Sequence, residues 1–313
     1  MQSAETKQAV YACDIGGSKL LCGLVSENGE ILDTEKCLLP AEITTEFLEE
    51  HLVDFYHRLT ARNPDCRVLR CGINIPGLAD PENGMWVYAC FSGIRDYPVT
   101  RRMGEALGLP VSIENDINAC AWAEKIYGAC GDCSDYLWVT VSNGVGGGLV
   151  LNGKIYAGAF GGAGEFGHIV VEPDGLPCPC GHKGCMEGSA AGPAISRRYQ
   201  ALTGKTCSAA EIAVLARNGE AEAVSVYRKT GEYIGRGLAK AASLLNLERY
   251  ILGGGVMQSF DLMEAEIRRV FEAEAFAAPN KNAVIRTTAL RYEAGLLGAA
   301  AIAWCPPNTG KRK

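Results

Sequence analysis

The sequence predicts an α/β protein made of two similar domains, and three observations carry that expectation. The chain has 313 residues, and at about 150 residues per domain this length suggests two. Short apolar runs that read as strands are interspersed with longer segments that read as helices. An order of strand, glycine-rich turn, strand, Asn-Gly turn and strand occurs twice, beginning near residues 9 and 136. No linker or low-complexity segment separates the halves, so they are expected to pack around a cleft.

In the first copy, residues 9–14 (AVYACD) form an apolar run that ends in a carboxylate. The turn IGGSK leads into the strand-like LLCGLV. Ser26-Glu27-Asn28-Gly29 supplies a hairpin turn, because Asn-Gly tolerates the positive φ such turns require. Residues 31–38 read as the returning strand and 43–62 as a helix. The run VLRCGINI at 68–75 reads as a buried strand stopped by Pro76-Gly77. A helix over 99–107, a short strand over 111–113 and a capped helix over 115–127 (NDINACAWAEKIY) follow.

The second copy opens with the strand YLWVTV at 136–141. The spacing predicts a glycine loop over 142–148 (SNGVGGG), then the strand GLVL, an Asn152-Gly153 turn and the strand KIYAG. Residues 209–245 are helix-rich. A strand at 250–252 ends in Gly253-Gly254-Gly255, a helix covers 261–275, a strand 283–287, and an Ala-rich helix 294–303.

Composition excludes several function classes. With 48% hydrophobic and 21% charged residues the chain reads as a soluble globular protein. Its net charge of −6 disfavours a nucleic-acid partner. The pairs Arg101–Arg102, Arg197–Arg198 and Arg268–Arg269 read as solvated helix faces, and Lys311-Arg312-Lys313 as a frayed end. No run reaches the ~18 apolar residues of a membrane span, and MQSAETKQAV lacks the apolar core of an export signal. The fourteen cysteines are therefore read as reduced thiols of a cytoplasmic protein. Eleven of them are scattered, many inside apolar runs where Cys packs as a small hydrophobe.

Three glycine-rich strand ends are candidate ligand loops. In Asp14-Ile-Gly-Gly-Ser-Lys19, Gly16 and Gly17 would let backbone N–H groups approach phosphate oxygens. Ser18 and Lys19 stand alongside, and Asp14 could hold Mg²⁺ through water. The plainer alternative is a tight hairpin with an incidental Asp. Ser142 to Gly148 is a second cradle or a sharp turn; it ends in neither a Walker lysine nor a helix. At Gly254 and Gly255 the missing side chains would admit a flat adenine ring. Between strand and helix, Asn115 is a plausible N-cap. Asp116 would then sit at a helix N-terminus, where the dipole favours its ionised form. An ionised Asp there can accept a proton from a hydroxyl; the alternative is capping alone.

The segment GEFGHIVVEPDGLPCPCGHKGCMEG at 164–188 brings His168, Cys178, Cys180 and Cys185 into short range. Three thiols and one imidazole are a structural zinc set with no open position. A disulfide would leave one thiol over. His182 is the alternative fourth ligand, but it lies inside the tight Cys180–Cys185 loop and is expected to point outward. Zinc there would pin together two segments that carry Glu165 and Glu187, both able to accept hydrogen bonds from one polyol. Structural zinc supplies roughly 10–16 kcal/mol in small motifs, enough to order so glycine-rich a loop.

Taken together these motifs resemble the ROK family (repressors, uncharacterised frames and sugar kinases) over nearly the whole length. DIGGSK resembles its first phosphate motif, INIPGLAD its Pro-Gly strand end, ENDINACAWAE its catalytic-base motif and SNGVGGG its second phosphate motif. GGAGEFGH with CPCGHKGCMEG resembles its sugar-plus-zinc signature, and LNLERYILGGGV the segment flanking the nucleotide. The resemblance implies an actin-like, ribonuclease-H-like fold of two α/β domains with a cleft between them, here 1–118 plus 292–313 and 119–291. It implies an ATP-dependent hexose or N-acyl hexosamine kinase, with Asp116 as general base and ATP, Mg²⁺ and structural Zn²⁺ as cofactors. Asn115, Glu165, His168 and Glu187 would contact the sugar. Asp14, Gly16, Gly17, Ser18, Lys19, Asn143 and Gly144 would serve the metal and phosphates, and Gly254 and Gly255 the adenosine. A homodimer or homotetramer is expected, with neither nucleic acid nor membrane as partner.

Three departures from the family pattern stand out. Ala89-Cys90-Phe91-Ser92 replaces the usual Pro-Asn, whose Asn touches sugar. Ser142-Asn143 replaces Gly-Thr, and Ser18 replaces Thr. These leave a non-catalytic sugar-binding protein as the alternative. A sugar-sensing regulator is disfavoured, because only thirteen residues precede Asp14.

Overall fold

The computed structural model describes residues 7–40, 42–89 and 92–307. Cys90 and Phe91, at the unusual Ala89–Ser92 segment, and the basic tail at 311–313 lie outside the described residues. Two compact units emerge. One takes in the chain up to Asp132, Val150–Ala163 and everything from Tyr292; the other is Cys133–Leu149 with Gly164–Arg291. Among the described residues no helix is long and apolar enough to cross a membrane.

The first unit is built on β1 (Lys7–Ile15), β2 (Lys19–Ser26), β3 (Ile31–Leu38), β4 (Cys66–Ile75) and β8 (Val111–Asn115), in the order β3-β2-β1-β4-β8. The three consecutive strands pair antiparallel, whereas β1, β4 and β8 run parallel. The register sets Asp14 opposite Asn74 and Ile75 opposite Asn115. The carboxyl ends of three parallel strands therefore reach one edge together, which is where open α/β sheets bind ligands.

Helices cover both faces of this sheet. On one side α1 (Thr45–Arg62) buries Leu48, Leu52, Phe55 and Leu59, and Tyr11 donates to the Leu52 carbonyl at 2.7 Å. On the other lies α10 (Ala294–Trp304), apolar almost all round, as a fully buried helix must be. It packs on β1, β4 and α3 (Asp116–Ile126). The fit depends on Gly72, where a Cβ would stand 1.9 Å from the Ala299 carbonyl oxygen. Between β4 and α2 (Val99–Leu107) the chain forms a small sheet that the sequence reading missed, made of β5 (Leu78–Asp80), β6 (Met85–Tyr88) and β7 (Arg95–Tyr97). Its strands are three or four residues long, too short to show alternation. It is anchored by the buried Trp86, which donates to the Pro76 carbonyl at 3.1 Å.

The second sheet contains β9 (Tyr136–Val141), β10 (Val145–Leu151), β11 (Lys154–Ile155), β12 (Arg249–Gly253) and β13 (Val284–Thr287), ordered β11-β10-β9-β12-β13. The parallel trio β9, β12 and β13 repeats β1, β4 and β8, so the internal repeat expected from the sequence is present in the topology. The Asn152-Gly153 turn has φ of 52° and 70°, as the hairpin requires. The remaining helices are α4 (Met186–Ala190), α5 (Gly192–Thr203), α6 (Ala209–Arg217), α7 (Ala221–Leu245), α8 (Glu264–Glu274) and α9 (Ala277–Asn280). The 25-residue α7 packs against α4, α5, α6 and α8.

Several expectations need correction. The glycine loop at 142–148 is mostly strand: β10 begins at Val145, and only residues 142–144 turn, closed by Ser142 N–H donating to the Gly144 carbonyl at 2.8 Å. Glycine sits in that strand because another chain segment presses on it; a Cβ at Gly147 would lie 2.8 Å from the Gly164 oxygen. The strand expected from KIYAG has two residues, and the expected helix 261–275 starts at Glu264 after a 3₁₀ stretch over Gly255–Leu262. A boundary at 118/119 would cut α3, which belongs whole to the first unit because it packs on α10. The arginine pairs are engaged rather than merely solvated: Arg102 forks onto Glu49 with two bonds of 2.8 Å, and Arg268 bonds Glu264 and the Ile285 carbonyl.

The α10 contact yields a test. Gly72→Ala is expected to lower stability by at least the ~1–3 kcal/mol of an overpacked core. Gly162→Ala, where an added Cβ meets nothing within 4 Å, should change it little. Urea midpoints at unchanged slope would separate the two.

Candidate active site

In the first unit, the end of β1 delivers a half-buried Asp14 to a tight turn in which Gly16 N–H donates to the Lys19 carbonyl at 2.9 Å. Gly17 and Ser18 are exposed at its tip, and a Cβ at Gly17 would meet nothing within 4 Å. The turn thus offers open backbone beside a carboxylate. Burial raises the Asp14 carboxyl above its ordinary range, while the Lys19 charge and a hydrogen bond from Asn74 pull the other way.

At the end of β8, Asn115 caps α3. Its Oδ1 accepts from Ile117 and Asn118 N–H at 2.9 and 3.1 Å, and its Nδ2 donates to the Gly77 carbonyl at 2.9 Å and to Asp116 Oδ1 at 3.1 Å. All four of its hydrogen-bonding positions are filled, so in this structure the amide organises the strand–helix junction and orients Asp116. The Asp116 carboxylate also accepts from Ile117 N–H at 3.0 Å. The helix N-terminus was expected to keep it ionised. Burial, followed by the like charge of Asp14, outweighs those donors and pushes its carboxyl up to about 7.

In the second unit, a 3₁₀ turn at Phe166–His168 presents Glu165 and His168 to solvent around the buried Phe166. His168 Nδ1 lies 3.7 Å from Cys178 Sγ, and Nε2 lies 3.8 Å from Glu165 Oε2. Cys180 Sγ is 3.6 Å from Cys185 Sγ. The candidate ligand atoms of His168, Cys178, Cys180 and Cys185 all fall within 4.8 Å of one another. A tetrahedron with Zn–S of about 2.3 Å and Zn–N of about 2.0 Å has edges of about 3.5–3.8 Å, so the donor set fits that ion. Backbone pairing of Val170 with Cys185 and of Pro177 with Lys183 holds the segment. His182 does not leave the cluster altogether: its Nδ1 is 3.6 Å from Cys180 Sγ. Hydrogen bonds from the His182 backbone and ring pull the Cys180 thiol down to about 6, whereas burial and neighbouring thiols push Cys185 up to about 12.

Glu187 rides on α4, immediately after Cys185. Its Oε2 accepts from Val145 N–H at 3.1 Å, and a Cβ at Gly144 would stand 2.7 Å from the same oxygen. The expected sugar-contacting Glu187 is thereby joined to the Asn143-Gly144 turn. Gly254, at φ 91°, lies against Val141, where a Cβ would be 2.5 Å from the carbonyl oxygen; Gly255 faces open space. Gly192 at the start of α5 donates to the Ser142 carbonyl at 2.8 Å. The Asn143-Gly144 turn, Gly254 and Gly255, and the cluster of His168, Cys178, Cys180 and Cys185 are therefore parts of one unit. Asp14, Gly16, Gly17, Ser18, Lys19, Asn115 and Asp116 are parts of the other.

Sequence reasoning missed the supports of α4. Arg197 donates to the Gly188 carbonyl at 2.7 Å and Arg198 to the Ser189 carbonyl at 2.5 Å, with a second Arg198 bond to Thr230 Oγ1 at 3.1 Å. Their position, one helix after Glu187, was the available signal. Missed too was Asn74, a polar residue inside the apolar run GINI, fully buried beside Asp14.

The raised Asp116 carboxyl has a consequence for stability. Its folded pKa exceeds the unfolded value, so its contribution is fully present below the unfolded value of about 4 and is lost progressively as pH rises to about 7. Asp116→Asn removes that slope. Urea midpoints at pH 5 and pH 8 should show the wild type losing more stability than the variant over this interval.

Residues 10–304 match the model of the ROK family. A glucokinase of Streptomyces coelicolor is 33% identical over 309 residues, covering 93% of this chain and 96% of the relative. An N-acetylmannosamine kinase of Yersinia pseudotuberculosis is 34% identical, covering 92% and 96%. The crystal structure of a ROK family glucokinase from Streptomyces griseus in complex with glucose and AMPPNP superposes with a TM-score of 0.79 at 33% identity, covering 94% of this chain and 99% of that one. The fold is the two-domain, actin-like α/β fold of those kinases, and the chain belongs to the ROK family.

Proposed function

We propose that this protein is an ATP-dependent sugar kinase that transfers the γ-phosphoryl group of ATP to a hydroxyl of a hexose or an N-acyl hexosamine. The observation that carries the reading is Asp116: a carboxylate at a strand–helix junction, oriented by Asn115 and titrating near 7. That is where a general base for neutral-pH chemistry works best. The glucokinase and N-acetylmannosamine kinase relatives support the same reaction class.

In this reading Asp116 takes the proton of the attacking sugar hydroxyl as the new O–P bond forms and ADP departs with the bridging oxygen. Phosphoryl transfer asks mostly for positioning and charge stabilisation. Gly16, Gly17, Ser18 and Lys19, with Asn143 and Gly144, serve the phosphates, and Gly254 and Gly255 the adenosine. Asp14 is the group that would hold Mg²⁺, which when bound neutralises phosphate charge. Glu165, His168 and Glu187 hold further sugar hydroxyls, while Asn115 acts chiefly by orienting the base. His168, Cys178, Cys180 and Cys185 would hold a structural zinc that orders the segment bearing Glu165 and Glu187. The described cysteines are all free, which suits reduced thiols in the cytoplasm. A homodimer or homotetramer is the assembly we propose from the resemblance.

The test is ADP release with ATP and Mg²⁺ over a panel of aldohexoses and N-acyl hexosamines. We expect sugar-dependent release for at least one; silence across the panel with sugar binding intact would favour a non-catalytic sugar-binding protein. Asp116→Asn should lose about 10²–10⁴-fold in kcat while sugar binding survives. Because the base must be deprotonated, kcat/KM should fall about tenfold per pH unit below 7. For the metal, one equivalent of zinc per chain is expected by elemental analysis. It should be absent in Cys178→Ala, together with a large loss of thermal stability.

A further inference from the structure

Asn74 stands at the carboxyl end of β4 with its side chain fully buried, directly across from Asp14 on β1. Its Nδ2 donates to the carbonyl of Gly295, in the first turn of α10, at 2.6 Å. Standing beside Asp14 in the sheet register, the same amide favours the charged form of its carboxylate. Among the described residues, its Oδ1 makes no hydrogen bond within the protein. A buried acceptor without a partner weakens a fold, and an apolar side chain would suit this strand better. The residue therefore serves what its amide donates to. Gly295 closes the other side: a Cβ there would lie 2.4 and 2.9 Å from the two Asp14 carboxylate oxygens and 2.7 Å from its Cγ. The carboxylate lies against a bare Cα on the helix, next to the strand that carries the amide.

We propose that Asn74 is a positioning residue: it ties β4 to α10 through Gly295 and fixes the Asp14 carboxylate, so that Asp14 meets a divalent cation and its nucleotide in one orientation. This rests on the reading of Asp14 as the cation-holding group. Asn74 touches neither sugar nor phosphate and acts through Asp14 alone. The effect of losing its amide should therefore vanish once Asp14 itself is changed.

The experiment uses the full chain and needs no turnover. Binding of a non-hydrolysable ATP analogue is followed calorimetrically as Mg²⁺ is titrated, for the wild type, Asn74→Leu, Asp14→Asn and the double variant, with thermal midpoints and sugar affinity recorded alongside. We expect Asn74→Leu to raise the Mg²⁺ concentration for half-maximal binding by about three- to tenfold, to leave sugar affinity within twofold, and to add nothing to Asp14→Asn. Should Asn74→Leu fail to fold, Asn74→Ser, which is smaller and keeps one donor, is expected to show a smaller shift of the same kind. A Mg²⁺ midpoint unchanged in the folded Asn74 variant while Asp14→Asn raises it, or additive effects in the double variant, would overturn the proposal and leave the kinase reading standing. An unchanged midpoint in Asp14→Asn itself would remove the assignment of Asp14, and this inference with it.

Discussion

The structure of the first unit turns on one unfavourable interaction, the crowding of two carboxylates, Asp14 and Asp116, at the carboxyl ends of β1 and β8. Among the described residues neither carboxylate has an ion-pair partner within 4 Å, although the Lys19 charge lowers the proton affinity of Asp14. Uncharged groups flank them as well: Asn74 beside Asp14, and Asn115 and the Ile117 amide donating to Asp116. A desolvated acid beside a like charge has its proton affinity raised, and Asp116 reaches about 7 by that route. The sheet register, the turn after β4 whose Gly77 carbonyl accepts from Asn115, and α10 against Gly72 all bear on the position of this pair.

The second unit meets a different demand with a different device. Glu165 and Glu187 are separated by a segment with four glycines between Gly167 and Gly184, which has little intrinsic reason to adopt one shape. Three thiols and an imidazole gathered within 4.8 Å give it one. The guanidinium groups of Arg197 and Arg198 then donate to the Gly188 and Ser189 carbonyls of α4. The Glu187 carboxylate is drawn onto the first amide of β10, so the second glycine turn and α4, which follows the Cys/His cluster directly, are joined.

Much of this was legible in the sequence, for identifiable reasons. Helix α2 could be read to the residue because Pro98 and Gly108 bound it, and strand β9 because the run YLWVTV is flanked by Ser134-Asp135 and Ser142-Asn143. The repeat showed in the order of turns, and the gathering of His168 with three cysteines in their type and spacing. What was not legible depends on contacts distant in sequence. SNGVGGG looks like a loop until the chain at Gly164 is seen pressing on Gly147. The 118/119 boundary failed because nothing in α3 announces that α10, almost 200 residues later, will cover it. Asp116 reads as an ionised helix cap until burial and Asp14 are counted, and Asn74 reads as a flaw in an apolar strand until Gly295 arrives beside it.

The central claim is that Asp14 and burial together poise Asp116 to exchange a proton near neutrality. A ¹³C NMR titration of the Asp116 carboxyl in the free protein tests it most directly. The account predicts a midpoint near 7 that falls in an Asp14→Asn variant. A midpoint close to the ordinary aspartate value of about 4 in both proteins would contradict it.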